Sequence, residues 1–174
     1  MSGETPLQES QAPVLFLDID GVLNRTRSAT HIRIDEDLVE RLRDLVNATG
    51  SQIVLSTFWR PFLPYVQYVL HRHGISAETV IGRTPGRSDA SDFAKVCNDQ
   101  GLLNASAFDD AEYASRASEI HSWLDAHPRV VRYVILDDRS SAADACLAPR
   151  FVQTDAACGL TEADAARCKE LLTS

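Results

Sequence analysis

The sequence lacks long apolar runs, paired cysteines and an excess of positive charge. No window approaches the ~18 consecutive apolar residues that a membrane-spanning helix needs, so we expect no membrane association. The four cysteines form no C-x-x-C pair and no metal-finger spacing, which predicts reduced, mostly buried thiols in a cytoplasmic protein. Basic residues number 17 against 25 acidic ones, for a net charge of −8. The surface as a whole therefore repels polyanions, and an anionic substrate must be met by a local cluster of cations.

Length and composition are those of an ordinary globular domain. The chain has 174 residues, of which 44% are apolar and 24% charged, and these values exclude wholesale disorder, collagen-like repetition and a disulfide-dense miniprotein. Residues 1–12 are polar and carry no signal-peptide pattern. We therefore expect a disordered tail over 1–12 and a single domain over 13–174. Nothing in the sequence indicates an obligate protein partner.

Short apolar runs alternate with segments of helical periodicity. The runs at 14–17, 53–55 and 133–136 predict buried strands, with shorter strands at 80–81 and near 151–152. Amphipathic helices are predicted from Asp35 to Gly50, up to Gly74, around 120–124, and after a capping box at Thr161. We expect a short alanine-rich helix after residue 138, and loop and irregular structure over 82–115. This alternation predicts an α/β layer fold with a mainly parallel sheet.

Polar side chains follow three of the predicted strands where each strand ends: Asp18 and Asp20 after the first, Ser56, Thr57 and Arg60 after the second, and Asp137 and Asp138 after the fourth. Ligands of parallel α/β sheets collect at the carboxyl ends of the strands, so we expect these groups to converge. Neighbouring carboxylates raise each other's pKa unless a cation neutralises them, and an oxygen-only ligand set suits Mg²⁺ better than zinc. A carboxylate held beside such an ion can attack phosphorus and form an aspartyl-phosphate.

Several of these segments resemble motifs of the haloacid dehalogenase (HAD) superfamily. Residues 16–23, FLDIDGVL, resemble its first motif, DxDG[TV]. Residues 53–56, IVLS, resemble the second motif, an apolar strand ending in Ser or Thr, and residues 134–138, VILDD, resemble the fourth, a strand ending in paired acids. The third motif is a single Lys or Arg, for which we choose Arg116, with Lys95 as the rival.

The resemblance extends over about 13–172. Within the superfamily, some segments resemble one narrower branch. Segments 56–60 and 119–138 are similar to the HAD domain found in Swiss Army Knife RNA repair proteins. Residues 136–139, LDDR, also resemble the phosphatase half of phage polynucleotide kinase/phosphatase. This similarity implies a three-layer α/β/α, Rossmann-like fold and a Mg²⁺-dependent phosphatase.

The resemblance also implies catalytic roles. Asp18 is then the nucleophile and a metal ligand. Asp20 protonates the leaving alcohol and afterwards deprotonates the water that hydrolyses the aspartyl-phosphate, while its backbone carbonyl binds the metal. Ser56 holds the phosphoryl oxygens, with Thr57 as the alternative if the register shifts by one residue. An acid at the position of Asp20 favours phosphatase chemistry over dehalogenase or ion-pump chemistry.

The remaining implied roles concern charge. Arg116 neutralises the nucleophile and the transferring group, and Asp137 and Asp138 bind Mg²⁺ directly or through water. Arg25 and Arg60 are predicted to contact substrate, because they follow the first and second motifs near the mouth of the site. Neighbouring cations, Arg27 among them, extend this predicted ring, which can guide an anionic substrate to the site. Trp59 and Trp123 are interpreted as core or cleft-wall residues, without a separate role.

The two segments that could cover the site, 24–34 and 82–115, are short. The segment 24–34 leaves no room for a cap domain, and 82–115 is too small for a large cap, although whether it acts as a lid stays open. An open site favours a bulky phosphomonoester, such as a nucleic acid end or a phosphoprotein. The branch resemblance favours RNA or DNA ends, including the 3′-phosphate or cyclic phosphate of broken RNA, whereas the net charge argues against tight polynucleotide binding.

Two other functional classes remain open. A receiver-like signalling domain also uses carboxylates, Mg²⁺ and a phospho-Asp, but places its nucleophile after a middle strand. A catalytically inactive HAD-fold binding module keeps the fold and loses the activity, although every catalytic carboxylate is present here. Turnover of a phosphomonoester by the wild-type protein distinguishes a hydrolase from both.

Overall fold

A computed structural model of the chain describes residues 12–27, 29–86 and 115–174. Its strands are β1 (Val14–Leu17), β2 (Gln52–Leu55), β3 (Val80–Arg83), β4 (Tyr133–Asp137) and β5 (Phe151–Gln153). They form one sheet in the order β3-β2-β1-β4-β5, and every pairing is parallel. β2 and then β3 lie on one side of β1. The chain then crosses the sheet, and β4 and β5 lie on the other side of β1. The predicted α/β fold with a mainly parallel sheet is confirmed.

Within the described part of the chain, four helices flank this sheet: α1 (Glu36–Thr49), α2 (Leu63–Arg72), α3 (Arg116–Ala126) and α4 (Glu162–Thr173). Gly50 ends α1 in the left-handed region at φ 62°, where glycine has no Cβ to clash. The predicted capping box at Thr161 is present, and Ser115 forms another at the start of α3. Asp35 precedes α1 as predicted but makes no capping hydrogen bond with its side chain.

Both faces of the sheet are covered, because alternate side chains of β1 enter different cores. Leu15 and Leu17 pack into the larger core, which includes side chains of α1, α2 and α4. Val14 and Phe16 pack into a second core, which includes side chains of α3. All four residues of β1 are buried, which is why the strand is continuously apolar rather than alternating. The expected three-layer α/β/α arrangement is confirmed.

Two predictions about the connections were wrong. β3 continues to Arg83, because Gly82 pairs with Val54 and Arg83 with Leu55, so the predicted loop begins later than residue 82. In place of the alanine-rich helix after residue 138, the chain forms two 3₁₀ turns, Ser140–Ala142 and Ala148–Arg150. The Asp144 carboxylate accepts hydrogen bonds from the backbone N–H groups of residues 146 and 147, the pattern of an N-cap, but Pro149 follows and has no N–H with which to continue a helix. Residues 1–11 of the tail and residues 87–114, which include Lys95, lie outside the described residues, so the question of a lid stays open.

Cys97 lies outside the described residues, and the three described cysteines depart from the expectation that most are buried. Cys146 and Cys158 are exposed, whereas Cys168 lies in the larger core, and all three are free thiols. The exposed two lie between regular elements, where no apolar face covers them. Burial raises the pKa of the Cys168 thiol to about 12, so it is inert at neutral pH. Within the described ranges, no helix has the length and apolar character to cross a membrane.

Candidate active site

Three buried carboxylates meet at the carboxyl edge of the sheet, between β1 and β4. Asp18 directly follows β1, while Asp137 ends β4 and Asp138 comes next. The backbone N–H of Asp18 donates to the carbonyl oxygen of Leu136 at 3.0 Å, which continues the β1–β4 ladder and brings the acids together. One oxygen from each carboxylate lies within 4.8 Å of the others. The convergence predicted for these three acids is therefore observed, and it occurs where the strand order reverses, the usual ligand position in such sheets.

Arg116 contacts this carboxylate cluster from the first residue of α3. Its Nη1 lies 2.9 Å from Asp18 Oδ2 and donates to Asp137 Oδ2 at 2.7 Å and to the Ser56 carbonyl oxygen at 2.8 Å. Burial by itself lowers the pKa of this guanidinium, but the charges of Asp18 and Asp137 outweigh it and raise the pKa. Arg116 therefore stays charged and partly neutralises the cluster. Its assignment as the third-motif cation stays a prediction.

The carboxylate cluster keeps an excess of negative charge. Burial, followed by the charge of Asp18, raises the pKa of Asp137 to about 7 even though Arg116 opposes the shift. The same two causes raise the pKa of Asp138. Asp138 Oδ2 is also buried without a hydrogen-bond partner among the described residues. Three oxygen donors with surplus charge and an unsatisfied oxygen fit Mg²⁺, and Asp18, Asp137 and Asp138 are the side chains that would hold it.

Gly21 lets the loop after β1 approach Asp138. Its φ of 74° lies in the left-handed region, and an added Cβ would lie 2.7 Å from Asp138 Cγ. Thr154 Oγ1 donates to the Gly21 carbonyl oxygen at 2.7 Å and joins this loop to the end of β5. The glycine is required here for both its backbone conformation and its lack of a side chain.

Asp20 lies in the same loop, with each carboxylate oxygen held by a separate donor. Asn24 Nδ2 donates to Oδ1 at 2.8 Å, and Trp59 Nε1 donates to Oδ2 at 3.0 Å. The Asn24 amide is itself fixed, because its Oδ1 accepts from the Gly21 N–H and its Nδ2 also donates to the Arg33 carbonyl. The side chain of Asp20 is thus oriented on both sides. Metal binding through its backbone carbonyl stays a prediction.

The two hydroxyl side chains after β2 differ in their partners. Ser56 Oγ is buried and has no hydrogen-bond partner among the described residues. Thr57 Oγ1 accepts the backbone N–H of Trp59 at 3.3 Å. The Ser56 N–H donates to the Leu17 carbonyl at 2.9 Å, which places Ser56 beside Asp18. Of the two alternatives, Ser56 has the hydroxyl available for a phosphoryl oxygen.

Arg25 and Arg60, predicted to contact substrate, pair with carboxylates outside the cluster. Arg25 is exposed, and its Nη2 lies 2.6 Å from Asp37 Oδ2. The hydrogen bond from Arg25 lowers the pKa of Asp37 to about 2. Arg60 is buried and makes a two-point pair with Glu119, at 3.0 and 2.9 Å. Substrate contact by either arginine is untested.

Two other arginines lie nearer the carboxylate cluster. Arg27 Nε is 3.7 Å from Asp138 Oδ2, and Arg139 Nε is 3.9 Å from Asp138 Oδ1. Their side chains are 75% and 54% exposed, so both can also meet a ligand. The sequence analysis included Arg27 in the predicted ring but named Arg139 only within the LDDR segment and gave it no role. Its position directly after the paired acids could have predicted that Arg139 lies near the carboxylate cluster.

Sequence reasoning also missed Asn24 and the contact made by Trp59. Asn24 lies four residues after Asp20 in a loop, where no periodicity predicts the direction of a side chain. Trp59 was expected to be core or cleft wall; it is buried, as expected, but its indole N–H serves Asp20. A buried tryptophan usually needs an acceptor for its indole N–H, and this rule could have indicated that Trp59 has a polar partner.

Comparison with known proteins identifies a family. A family model described as the HAD domain in Swiss Army Knife RNA repair proteins matches residues 14–165. No curated protein and no solved structure matches the chain. The matched range contains the carboxylate cluster, Asp20, Ser56 and Arg116.

Proposed function

Because the chain belongs to the family of HAD domains found in Swiss Army Knife RNA repair proteins, we propose that it is a Mg²⁺-dependent phosphatase that acts through an aspartyl-phosphate on Asp18. Family membership supports a phosphatase-type hydrolase in general. The observation that carries the finer proposal is the meeting of Asp18, Asp137 and Asp138 beside Arg116. Bound Mg²⁺ offsets the charge of the phosphoryl group, so that the group can approach these carboxylates.

Two contacts of Asp18 support its proposed role as the nucleophile. The backbone N–H of Ile19 donates to Asp18 Oδ1 at 2.7 Å, and Arg116 lies against Oδ2. In the proposed first step an oxygen of Asp18 bonds to phosphorus while the bond from phosphorus to the leaving oxygen breaks. Arg116 and the Ser56 hydroxyl stabilise the transferring oxygens, because both are positioned in advance in a site shielded from water.

Asp20 carries the protons in both proposed steps. It first gives a proton to the leaving alcohol and is left as the carboxylate. It then takes a proton from a water molecule that attacks phosphorus, which releases inorganic phosphate and restores Asp18. The Asp20 side chain follows Asp18 by two residues and is held by Asn24 and Trp59, which supports its use as a fixed acid and base.

The strand order supports a hydrolase over a receiver-like domain. Receivers share the flavodoxin-like order 2-1-3-4-5, in which the first strand lies between the second and the third. Here β1 lies between β2 and β4, and β3 lies outside β2. The proposed nucleophile follows β1 rather than a middle strand in the chain.

For the natural substrate we propose a nucleic acid end, such as the 3′-phosphate of broken RNA. The family description names RNA repair proteins. Arg27 and Arg139 provide exposed guanidiniums beside Asp138, where they can meet the backbone phosphate next to the one being removed. The net charge of −8 disfavours contacts farther along the chain of the nucleic acid.

The first experiment measures turnover of p-nitrophenyl phosphate with Mg²⁺ and with EDTA. We expect turnover that needs Mg²⁺ and that Asp18→Asn abolishes, because an amide cannot act as the nucleophile. Asp125→Asn, an exposed acid on α3, serves as the matched control and should keep wild-type activity. Retained turnover in Asp18→Asn would move the nucleophile elsewhere. A purified wild type that is inert toward a broad phosphomonoester panel would favour the inactive binding module.

The second experiment tests the proposed substrate. We expect Arg27→Ala and Arg139→Ala each to lower kcat/KM for a 3′-phosphorylated oligonucleotide about tenfold, since each removes one charge-assisted contact. Turnover of p-nitrophenyl phosphate should change little, because it has no second phosphate. Arg129→Ala is the control, an exposed arginine that precedes β4 at the opposite edge of the sheet. Equal losses on both substrates would argue against a second anion beside Asp138.

A further inference from the structure

We propose that Trp59 is a positioning residue for Asp20, whose indole N–H holds the carboxylate in the orientation required for proton transfer. The inference rests on the acid and base role proposed above for Asp20. It assigns to Trp59 a function that a core or cleft-wall tryptophan does not have.

The contact has the properties of a strong orienting hydrogen bond. Trp59 Nε1 lies 3.0 Å from Asp20 Oδ2, and the residues are 3% and 8% exposed, so water competes little for either group. A donor that meets a carboxylate forms a charge-assisted bond, which is stronger than a neutral one. Because Asn24 holds the other oxygen at 2.8 Å, the two donors together restrict rotation of the carboxylate.

The indole is itself fixed by its surroundings. The Phe58 ring meets it edge-on at 6.0 Å, and the Phe62 ring lies tilted at 6.1 Å. The backbone N–H of Trp59 donates to Thr57 Oγ1, which tightens the turn that leads into the 3₁₀ turn Arg60–Phe62. The donor to Asp20 is therefore built into a rigid aromatic cluster rather than carried on a mobile side chain.

The location of Trp59 links two functions of the site. It lies three residues after Ser56, in the turn that follows β2, whereas Asp20 lies in the loop after the neighbouring β1. The same turn thus supplies the hydroxyl for the phosphoryl group and the donor that orients the acid. A general acid must lie within ~2.6–3.2 Å of the oxygen that it protonates, so this link fixes the distance on which the proton transfer depends.

The first test needs no enzymatic activity. The chain has two tryptophans, so a ¹H–¹⁵N spectrum has two indole signals, and Trp123→Phe assigns them. We expect Asp20→Asn to move the Trp59 indole signal and to leave the Trp123 signal in place, because Trp123 packs in the other core. If Asp20→Asn moves neither signal, the contact does not form in solution and the inference is overturned. This result holds even if the phosphatase proposal fails.

The second test separates positioning from packing. Trp59→Phe keeps an aromatic ring and removes the N–H. We expect kcat/KM for an alkyl phosphomonoester to fall about tenfold, and kcat/KM for p-nitrophenyl phosphate to change little, since p-nitrophenolate leaves without a proton. Trp123→Phe, the matched control, should show no such dependence on the leaving group.

A double variant completes the test. In the Asp20→Asn background, Trp59→Phe should cause no further loss on the alkyl substrate, because the group that it positions is gone. Equal losses of kcat/KM on both substrates, or a further loss in the Asp20→Asn background, would show that Trp59 acts through packing alone. A circular dichroism melt of each variant confirms that the folded protein is being compared.

Discussion

The buried ion pair between Arg60 and Glu119 holds together two elements that form the site, and its contribution to the free energy of unfolding can be measured. Its two contacts, Nη1 to Oε2 at 3.0 Å and Nη2 to Oε1 at 2.9 Å, join the turn after β2 to the first turn of α3. The two side chains are 10% and 7% exposed. Glu119 follows Arg116 by three residues on α3, so the pair also holds the helix end that presents Arg116 to Asp18.

Arg60→Met keeps most of the aliphatic stem and leaves Glu119 as a buried carboxylate without its main counter-charge. Breaking a buried pair in this way costs about 3–5 kcal/mol of unfolding free energy. At roughly 2–4 °C per kcal/mol for a chain of this size, we expect Tm to fall by about 6–20 °C. Arg60→Met with Glu119→Met removes both charges, and well-packed apolar replacements of buried pairs are close to neutral. The double variant should therefore regain most of the loss.

Thermal and urea unfolding, followed by circular dichroism, measure these changes. Arg25→Met is the matched control, since it removes an arginine that is also paired at two points, with Asp37, but at the exposed surface. Its effect should be much smaller, because water and salt screen exposed pairs. Two results would refute the reasoning: a loss in Arg60→Met no larger than in Arg25→Met, or a double variant as unstable as the sum of its two single variants.

Further predictions concern the carboxylate cluster and its neighbours. Gly21→Ala should weaken Mg²⁺ binding in calorimetry because its Cβ would press on Asp138, and unchanged affinity would contradict the close approach. Ser56→Ala should lower phosphatase turnover roughly a hundredfold, whereas Thr57→Val should mainly lower Tm, and the reverse pattern would reassign the phosphate-binding hydroxyl. Since the pKa of Asp137 is raised from 3.8 to about 7, the metal-free folded state binds this proton more tightly than the unfolded chain does, and this contribution to stability is lost as pH rises through 7. Thermal melts at pH 5 and pH 8 should therefore show that Mg²⁺ raises Tm mainly at pH 8. An equal rise in Tm at both pH values would contradict the raised pKa of Asp137.

The general form of the fold could be predicted because its signals are local. The β1 residues are apolar without interruption, since both faces of a parallel sheet are covered, and this pattern needs no knowledge of distant residues. The meeting of Asp18 with Asp137 followed from the same pattern, since carboxyl ends of neighbouring parallel strands share one edge. The prediction of a helix after residue 138 was wrong for a local reason as well, because Pro149 has no N–H to donate to a helix hydrogen bond.

Contacts between individual side chains could not be predicted from local sequence patterns. Arg25 and Arg27 are two residues apart, yet Arg25 pairs with Asp37 and Arg27 lies beside Asp138. Ser56 and Thr57 are adjacent hydroxyls, and the turn after β2 engages that of Thr57. In each case, the loop conformation decides which of two similar side chains faces the site.

The layers, the parallel sheet and the edge at which the acids gather can be derived from the chain alone, because burial and strand direction leave patterns among neighbouring residues. The hydrogen bond from Trp59 to Asp20 and the pair between Arg60 and Glu119 span 39 and 59 residues and depend on the folded arrangement. Hydrogen bonds and ion pairs act over a few ångströms and depend on direction. Their partners are therefore chosen by how loops from different strands pack together, which no periodicity in the chain records.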